Sequence, residues 1–379
     1  MTTEREIAMP ERTILLNPGP VVIDRRVRDA LALPDMCHRE PEFSELMTRV
    51  RDKLTLVCGG DISYTSVVFT GSGTAALEAT ISSVVPDSGK LLILSNGHYG
   101  ERLQKIARIH KLNHATIDAG WAAPLELSKI DAYLRDHNDV TLIAMVHHET
   151  STGMLNPVHQ VGEVASRYGC SLIVDAISSL AGEILDIRGD SIDWCVGTAN
   201  KCIEGVPGVS FVCAPRKKLD ELASIPARTM YLSIYSQYAA EDRDKAPPFT
   251  PAVQTFFALD TALDLLLDEG VGARCKRYRN LALQARAGLE KIGLRLLLPP
   301  ELRSNTLTAI YLPPGMDYRT LHDELRRFGF VIYAGQDTLK QKAFRIANMG
   351  QITTAEMDAF LSAMEQTLAK SSAARVQSR

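Results

Sequence analysis

Between about residue 66 and residue 213 the chain alternates short apolar runs with stretches of helical period, and few folds accept that pattern. The runs at 67–70, 91–94, 140–146, 172–175 and 194–196 are rich in Val, Ile and Leu and bounded by turn residues, as buried strands are. The residues after Gly73, Glu101, Trp121 and Pro157 have helical spacing, with the third of these helices expected over 121–134. Strands that alternate with helices fold into a mostly parallel sheet flanked by helices, an α/β architecture. A return strand over 209–213 closes the series, and amphipathic helices over 21–33 and 43–56 precede it.

Beyond Gly270 the pattern changes. Helical periods cover 253–270 and 272–293, with Gly270 as the stop between them. Strands over 306–312, 330–332 and 344–347 and helices over 318–328 and 354–369 then make a compact α+β unit. The expected organisation is an N-terminal arm (1–20), a large domain (21–270) and a smaller C-terminal α+β domain (271–379). The segment 228–250 reads as an irregular polar loop carrying Tyr231, Tyr235 and Tyr238, of a size usually kept for function or a subunit contact. The final polar stretch SSAARVQSR reads as disordered.

Composition excludes several classes. A net charge of −3 gives no argument for nucleic acid or an anionic membrane surface, and 23% charged residues is ordinary for a soluble enzyme. No apolar run approaches the roughly 20 residues that span a bilayer. The opening MTTEREIAMPERT is polar and carries acids, which fits a flexible lead or a subunit-wrapping arm rather than a secretory signal, and a cytoplasmic location is expected. Seven cysteines without a CxxC support neither a disulfide framework nor a zinc site. His147 and His148 are adjacent on a strand, so they point to opposite faces and no metal site is expected. Cys202 reads as a small loop filler.

Ligands of open parallel sheets bind outside the carboxyl ends of the strands. Residues with complementary chemistry collect there. Gly71-Ser72-Gly73-Thr74 joins a strand to a helix start, where free N–H groups and the dipole suit a phosphate. Tyr99 offers a flat ring, and Ser151 and Thr152 offer hydroxyls. Asp175 ends one strand and Lys201 follows the next, in Gly197-Thr198-Ala199-Asn200. A lysine that forms a Schiff base and an acid that keeps a pyridine nitrogen protonated are the pair that pyridoxal phosphate chemistry needs. Asn17-Pro18-Gly19-Pro20 is a stiff turn that could wall a substrate site. His38 and Arg39, on a loop before a proline, could face an anion. Arg345, inside a short strand, needs an anionic partner if buried.

The ordered set NPGP, GSGT, NGHYG, HHETSTG, LIVDAISS, GTANK, PFTP and FRIANMG resembles the class V, fold-type I pyridoxal phosphate aminotransferases over nearly the whole chain. Within that class it is most similar to the 2-aminoethylphosphonate:pyruvate transaminases. The resemblance implies pyridoxal 5'-phosphate as cofactor, Lys201 as the lysine bonded to it, and Asp175 as partner of the ring nitrogen. It implies Ser72, Gly73 and Thr74 as the phosphate cup, Tyr99 as the stacking ring, and Ser151 or Thr152 as the hydroxyl near the ring oxygen. Thr250 matches a threonine that reaches the phosphate of the neighbouring subunit, so a homodimer with shared sites is implied. Asn17, Pro18, Gly19, His38, Arg39 and Arg345 are the substrate-side candidates, with Arg345 matching the arginine that grips a carboxylate. Pro247 departs from the pattern, since alanine:glyoxylate relatives often carry an aromatic there.

The implied reaction moves the amine of 2-aminoethylphosphonate to pyruvate, giving phosphonoacetaldehyde and alanine. The alternatives are a transaminase for plain amino and keto acids, such as alanine or serine with glyoxylate or pyruvate, and a pyridoxal phosphate lyase. A desulfurase needs a mobile-loop cysteine, and residues 320–345 contain none.

Overall fold

A computed structural model describes residues 13–377. The lead expected over the first twelve residues lies outside the described residues. Seven strands form the central sheet: β1 (Tyr64–Thr70), β2 (Lys90–Ser95), β3 (His114–Asp118), β4 (Val140–Val146), β5 (Ser171–Asp175), β6 (Trp194–Thr198) and β7 (Val209–Pro215). Their spatial order is β1-β7-β6-β5-β4-β2-β3. β7 pairs antiparallel with both β1 and β6, and every other pairing is parallel. All strands but β7 therefore end on one edge of the sheet. Apolar clusters cover both faces, one built on Phe43, Leu46, Leu92, Val174 and Phe211, the other on Phe69, Leu77, Ile93, Ile173 and Val212. Alternate residues of one strand, such as Ile173 and Val174, serve opposite layers, as the pleat requires.

A third cluster unites residues distant in sequence: Ile14 and Leu16 pack with Leu289, Phe330, Phe344 and Phe360. Here β8 (Leu307–Tyr311), β9 (Tyr333–Ala334) and β10 (Ala343–Ala347) form an antiparallel sheet in the order β8-β10-β9. Ile14–Leu15 pairs in parallel with Phe330–Val331. The turn that follows is clamped on both sides: Ala347 N donates to Leu16 O, and Gln351 N donates to Val22 O.

Several local expectations need correction. The helix expected over 121–134 is Leu127–Asp136, because Pro124 keeps the residue before it extended and the chain turns first. The helix expected over 21–33 is only Arg25–Asp29, capped by the Asp24 carboxylate and running into a 3₁₀ turn at Ala30–Ala32 ahead of Pro34. Val22 instead bridges to Gly350. β3 was not foreseen, since an edge strand that is half-buried along most of its length shows no continuous apolar run. The supposed loop 228–250 contains a helix, Ile234–Ala239, which buries Ile234, Gln237 and Tyr238 and is capped by Ser233. The last helix runs Thr354–Gln377, well into the stretch expected to be disordered. Thr353 and Glu356 start it with a reciprocal capping pair.

Candidate active site

Asp175 closes β5 with its carboxylate 3% exposed. Its Oδ1 accepts from Ile177 N at 3.0 Å, a single bond for a group that can accept four. Burial pushes its pKa up to about 6, opposed by that bond, while nearby Glu149 adds to the rise and Arg102 and Lys201 oppose it. Lys201 stands after β6 in the turn Ala199–Glu204, where Glu204 N donates to Lys201 O and Gly205 N to Ala199 O. Burial lowers its ammonium to about 8; the other charges it feels include Arg345, Asp175 and Arg102. A lysine brought close to neutrality is a ready nucleophile and base.

The Asn17–Pro20 turn is the wall of this site. A Cβ added to Gly19 would lie 2.8 Å from Lys201 Cδ, so the turn backbone rests on the lysine stem. Gly19 has φ +105, a conformation only glycine adopts freely. Asn17 Nδ2 holds the turn by donating to Pro20 O at 2.9 Å.

Arg345 on β10 is 1% exposed, and its charge is among those that Lys201 feels. Its Nε donates to Ala334 O, and its Nη1 to Thr150 O and Gln336 Oε1, each at 2.9 Å. Nη2 makes no hydrogen bond among the described residues. These bonds tie the small sheet to the buried turn Glu149–Gly153. His98 Nδ1 and Asp337 Oδ2, 2.6 Å apart, make a second tie beside Gln336.

The helix Gly73–Val84 starts at Ser72 with no side-chain cap, so its first N–H groups keep their capacity for an anion. A Cβ on Gly73 would meet Ile177 Cδ1 at 2.8 Å, which packs this helix start directly beside the Asp175 turn. Thr74 Oγ1 accepts from Arg102 Nη1 at 3.0 Å. Thr150 is fully buried and its hydroxyl has no partner among the described residues. An uncapped helix start, a one-bond carboxylate, a depressed lysine and an orphaned hydroxyl fit a phosphorylated, polar, ring-bearing cofactor.

The aminotransferase class-V family model matches residues 28–360. The chain belongs to the class-V aminotransferase family. It is 38% identical over 360 residues to the 2-aminoethylphosphonate–pyruvate transaminase of Salmonella typhimurium strain LT2, covering 94% of this chain and 97% of that protein. Among solved structures it resembles pyridoxamine-pyruvate aminotransferase from Mesorhizobium loti, with TM-score 0.90 and 29% identity, covering 97% of this chain and 94% of that one. It likewise resembles alanine–glyoxylate aminotransferase from Nostoc sp., with TM-score 0.89 and 27% identity over 96% of this chain and 97% of that one.

In this aminotransferase the candidates divide. The Gly19 turn, Lys201, Asp175, Gly73 and Arg345 are linked by the contacts and charges above. Ser151 and Thr152 are buried, but Ser151 Oγ donates to Glu149 Oε1 at 2.5 Å and Thr152 Oγ1 to Glu149 O at 3.3 Å. Tyr99 is half-buried, with the Arg102 guanidinium 4.6 Å from its ring centroid on one face. Arg39 and Thr250 are exposed and His38 is half-buried; Arg39 Nη1 donates to Pro247 O at 3.0 Å, which places Arg39 against the Thr250 segment. His147 and His148 are buried and neutral, their pKa values pulled by burial to about 4 and about 3. Cys202 is fully buried, and burial raises its thiol pKa far above the ordinary value, so it is no nucleophile.

Two site residues escaped the sequence reading. Glu149, fully buried, accepts from Tyr99 N, Gly100 N, Ser151 N and Ser151 Oγ, and so caps the helix His98–Ile109 from outside it. Gly97 makes room for it, since a Cβ there would sit 2.6 Å from Glu149 Cδ. The same strand-end rule that found Ser151 reaches Glu149 as well. Arg102 lies one helical turn past Tyr99, a spacing at which side chains meet.

Proposed function

We propose that this aminotransferase uses pyridoxal 5'-phosphate to move the amino group of 2-aminoethylphosphonate to pyruvate, giving phosphonoacetaldehyde and alanine. The observation that carries the substrate is the 38% identity to the Salmonella typhimurium relative across 97% of that protein. The half-buried Lys201, its pKa lowered, and the buried Asp175 at adjacent strand ends support the cofactor. When bound, the cofactor supplies an electron sink that acidifies the carbon bearing the amine.

Lys201 Nζ takes the proton from that carbon and returns it to the acceptor position; its depressed pKa lets the free amine exist near neutral pH. The Asp175 carboxylate would hold a proton on the cofactor's ring nitrogen. The first turn of Gly73–Val84 and the Ser72 and Thr74 hydroxyls would receive its phosphate, and Tyr99 would supply the aromatic wall beside it. Arg345 Nη2 grips the carboxylate of pyruvate and the phosphonate in turn. The Asn17–Pro20 turn keeps the Lys201 stem aligned and water out.

We further propose a cytoplasmic homodimer with shared sites. Exposed Met230, Tyr231, Leu31 and Leu33 supply apolar surface for a partner copy. Thr250, with Arg39 beside its segment, then faces the other protomer's phosphate and phosphonate, and His38 lies on the same loop as Arg39. The chain divides into an arm, a large unit to residue 270 and a small unit beyond; the third apolar cluster supports this, with Ile14 and Leu16 of the arm built into the small unit.

Alanine formation from pyruvate, assayed across a panel of amines, tests the reading. 2-Aminoethylphosphonate should be preferred by at least tenfold in kcat/KM. The likeness to the Nostoc alanine–glyoxylate enzyme favours a second reading, a carboxylate transaminase. A preference for alanine or serine as donor, with the phosphonate inert, establishes that reading instead.

A further inference from the structure

Outside the site lies a second buried polar cluster that the chemistry above does not use. Glu204, three residues past Lys201, is 3% exposed and has φ +63, a left-handed conformation unusual for a residue with a Cβ. Its Oε1 accepts from Tyr278 OH at 2.5 Å and Arg277 Nη2 at 2.8 Å, and its Oε2 accepts from Gln351 Nε2 at 2.5 Å. These partners, and Arg274 with its Nη2 3.9 Å from Glu204 Oε2, hold other backbone. Arg274 Nη1 donates to Cys202 O and Ile203 O. Arg277 Nη1 donates to Gly350 O, and Tyr278 OH accepts from Gly350 N. Gly350 presses on Val22, whose carbonyl would lie 2.5 Å from a Cβ placed there. One carboxylate thus meets the Lys201 turn, the segment following the Arg345 strand and, through Gly350, the Val21–Val22 stretch that follows the Asn17–Pro20 turn.

We propose that Glu204 is a positioning residue for transamination: it locks the Lys201 turn to the segments that follow the Arg345 strand and the Asn17–Pro20 turn, and so fixes where the Lys201 amine stands. Its hold on the site runs through the hydrogen bonds to Tyr278, Arg277 and Gln351. The proposal rests on Lys201 being the reacting amine, but its test needs neither cofactor nor substrate. In the full chain freed of cofactor, the pH dependence of Lys201 labelling by an amine-directed reagent, read by peptide mass spectrometry, reports that amine's pKa.

Glu204→Ala should loosen the turn, rehydrate the amine and raise its pKa by about one unit, a tenfold drop in free amine below pH ~8. Glu204→Gln keeps the size and one of the two acceptor oxygens, enough for Tyr278 and Arg277, and should shift the profile clearly less than Glu204→Ala. In the loaded enzyme kcat should fall about tenfold for Glu204→Ala and less than about twofold for Glu204→Gln. If Glu204→Ala does not fold, Tyr278→Phe, which removes the hydroxyl shared by Glu204 and Gly350, should move the profile in the same direction. An unchanged Lys201 profile in a folded Glu204→Ala or Tyr278→Phe protein overturns the proposal, and so does a Glu204→Gln profile that shifts as far as the alanine variant. Loss of amino transfer with any donor leaves the labelling result standing, so the two failures are distinguishable.

Discussion

Asp175 and Glu204 are buried carboxylates on either side of Lys201 in sequence, and they are held in opposite ways. Asp175 takes one hydrogen bond from the protein, and burial raises its pKa to about 6. The Lys201 side chain makes no hydrogen bond among the described residues, and Thr150 keeps an unmatched hydroxyl. Around Glu204 the carboxylate, two arginines, a tyrosine hydroxyl and backbone carbonyls are mutually satisfied. Buried capacity left open costs stability, so it persists where a ligand completes it. Buried capacity fully met holds backbone in place. The first cluster is built to react, and the second to hold the first.

That contrast has opposite signatures on mutation. Lys201→Ala should reduce amino transfer on the order of 10⁴-fold, while the cofactor-free chain melts no lower than wild type. The pH response follows from the sign of the shift. The folded chain holds the Lys201 proton with pKa about 8 against an ordinary 10.5. Between those values the unfolded chain binds more protons, so wild-type stability rises with pH across that window. Lys201→Ala should lose that slope in denaturant melts, and a slope that survives assigns it to another group.

Arg274→Met tests the other cluster. The guanidinium is 1% exposed, and its loss strips donors from Cys202 O and Ile203 O and a partner from Glu269. Removing one partner from such a network should cost about 3 kcal/mol in urea unfolding. A loss below about 1 kcal/mol would mean that the cluster bears little of the fold.

Asp175→Asn should lower kcat by roughly 10²-fold and change stability in the opposite sense to Arg274→Met. Asp175 binds its proton more tightly when folded, about 6 against 3.8, so ionisation destabilises the cofactor-free fold as pH rises through that range. The asparagine variant should therefore be more stable than wild type above pH ~6 and equal to it below pH ~4, as read by melts at the two extremes.

The sequence already displayed the sheet and most of its strand-end chemistry, because each apolar run that feeds Asp175 or Lys201 is local and continuous. It concealed what depends on distant partners. β3 is a half-buried edge, Glu149 acts by capping a helix from another segment, and Glu204 reads as an ordinary loop acid until Tyr278, Arg277 and Gln351 surround it. The helix within 228–250 was hidden for a similar reason: it is short and gains its stability from burying Ile234 and Tyr238 rather than from its own composition. Arg345 was legible as an anion seeker, but its bonds to Thr150 and Gln336 were not, since nothing local in a short strand names them.

The most direct measurement is reductive trapping. The chain is mixed with pyridoxal 5'-phosphate, treated with borohydride and digested, and the modified peptide is located by mass spectrometry. A single pyridoxyl group on Lys201, at one per chain and with no other lysine substituted in its place, is the expected result. Labelling spread over exposed lysines with Lys201 untouched would contradict the assignment of this strand-end pair as the reacting centre.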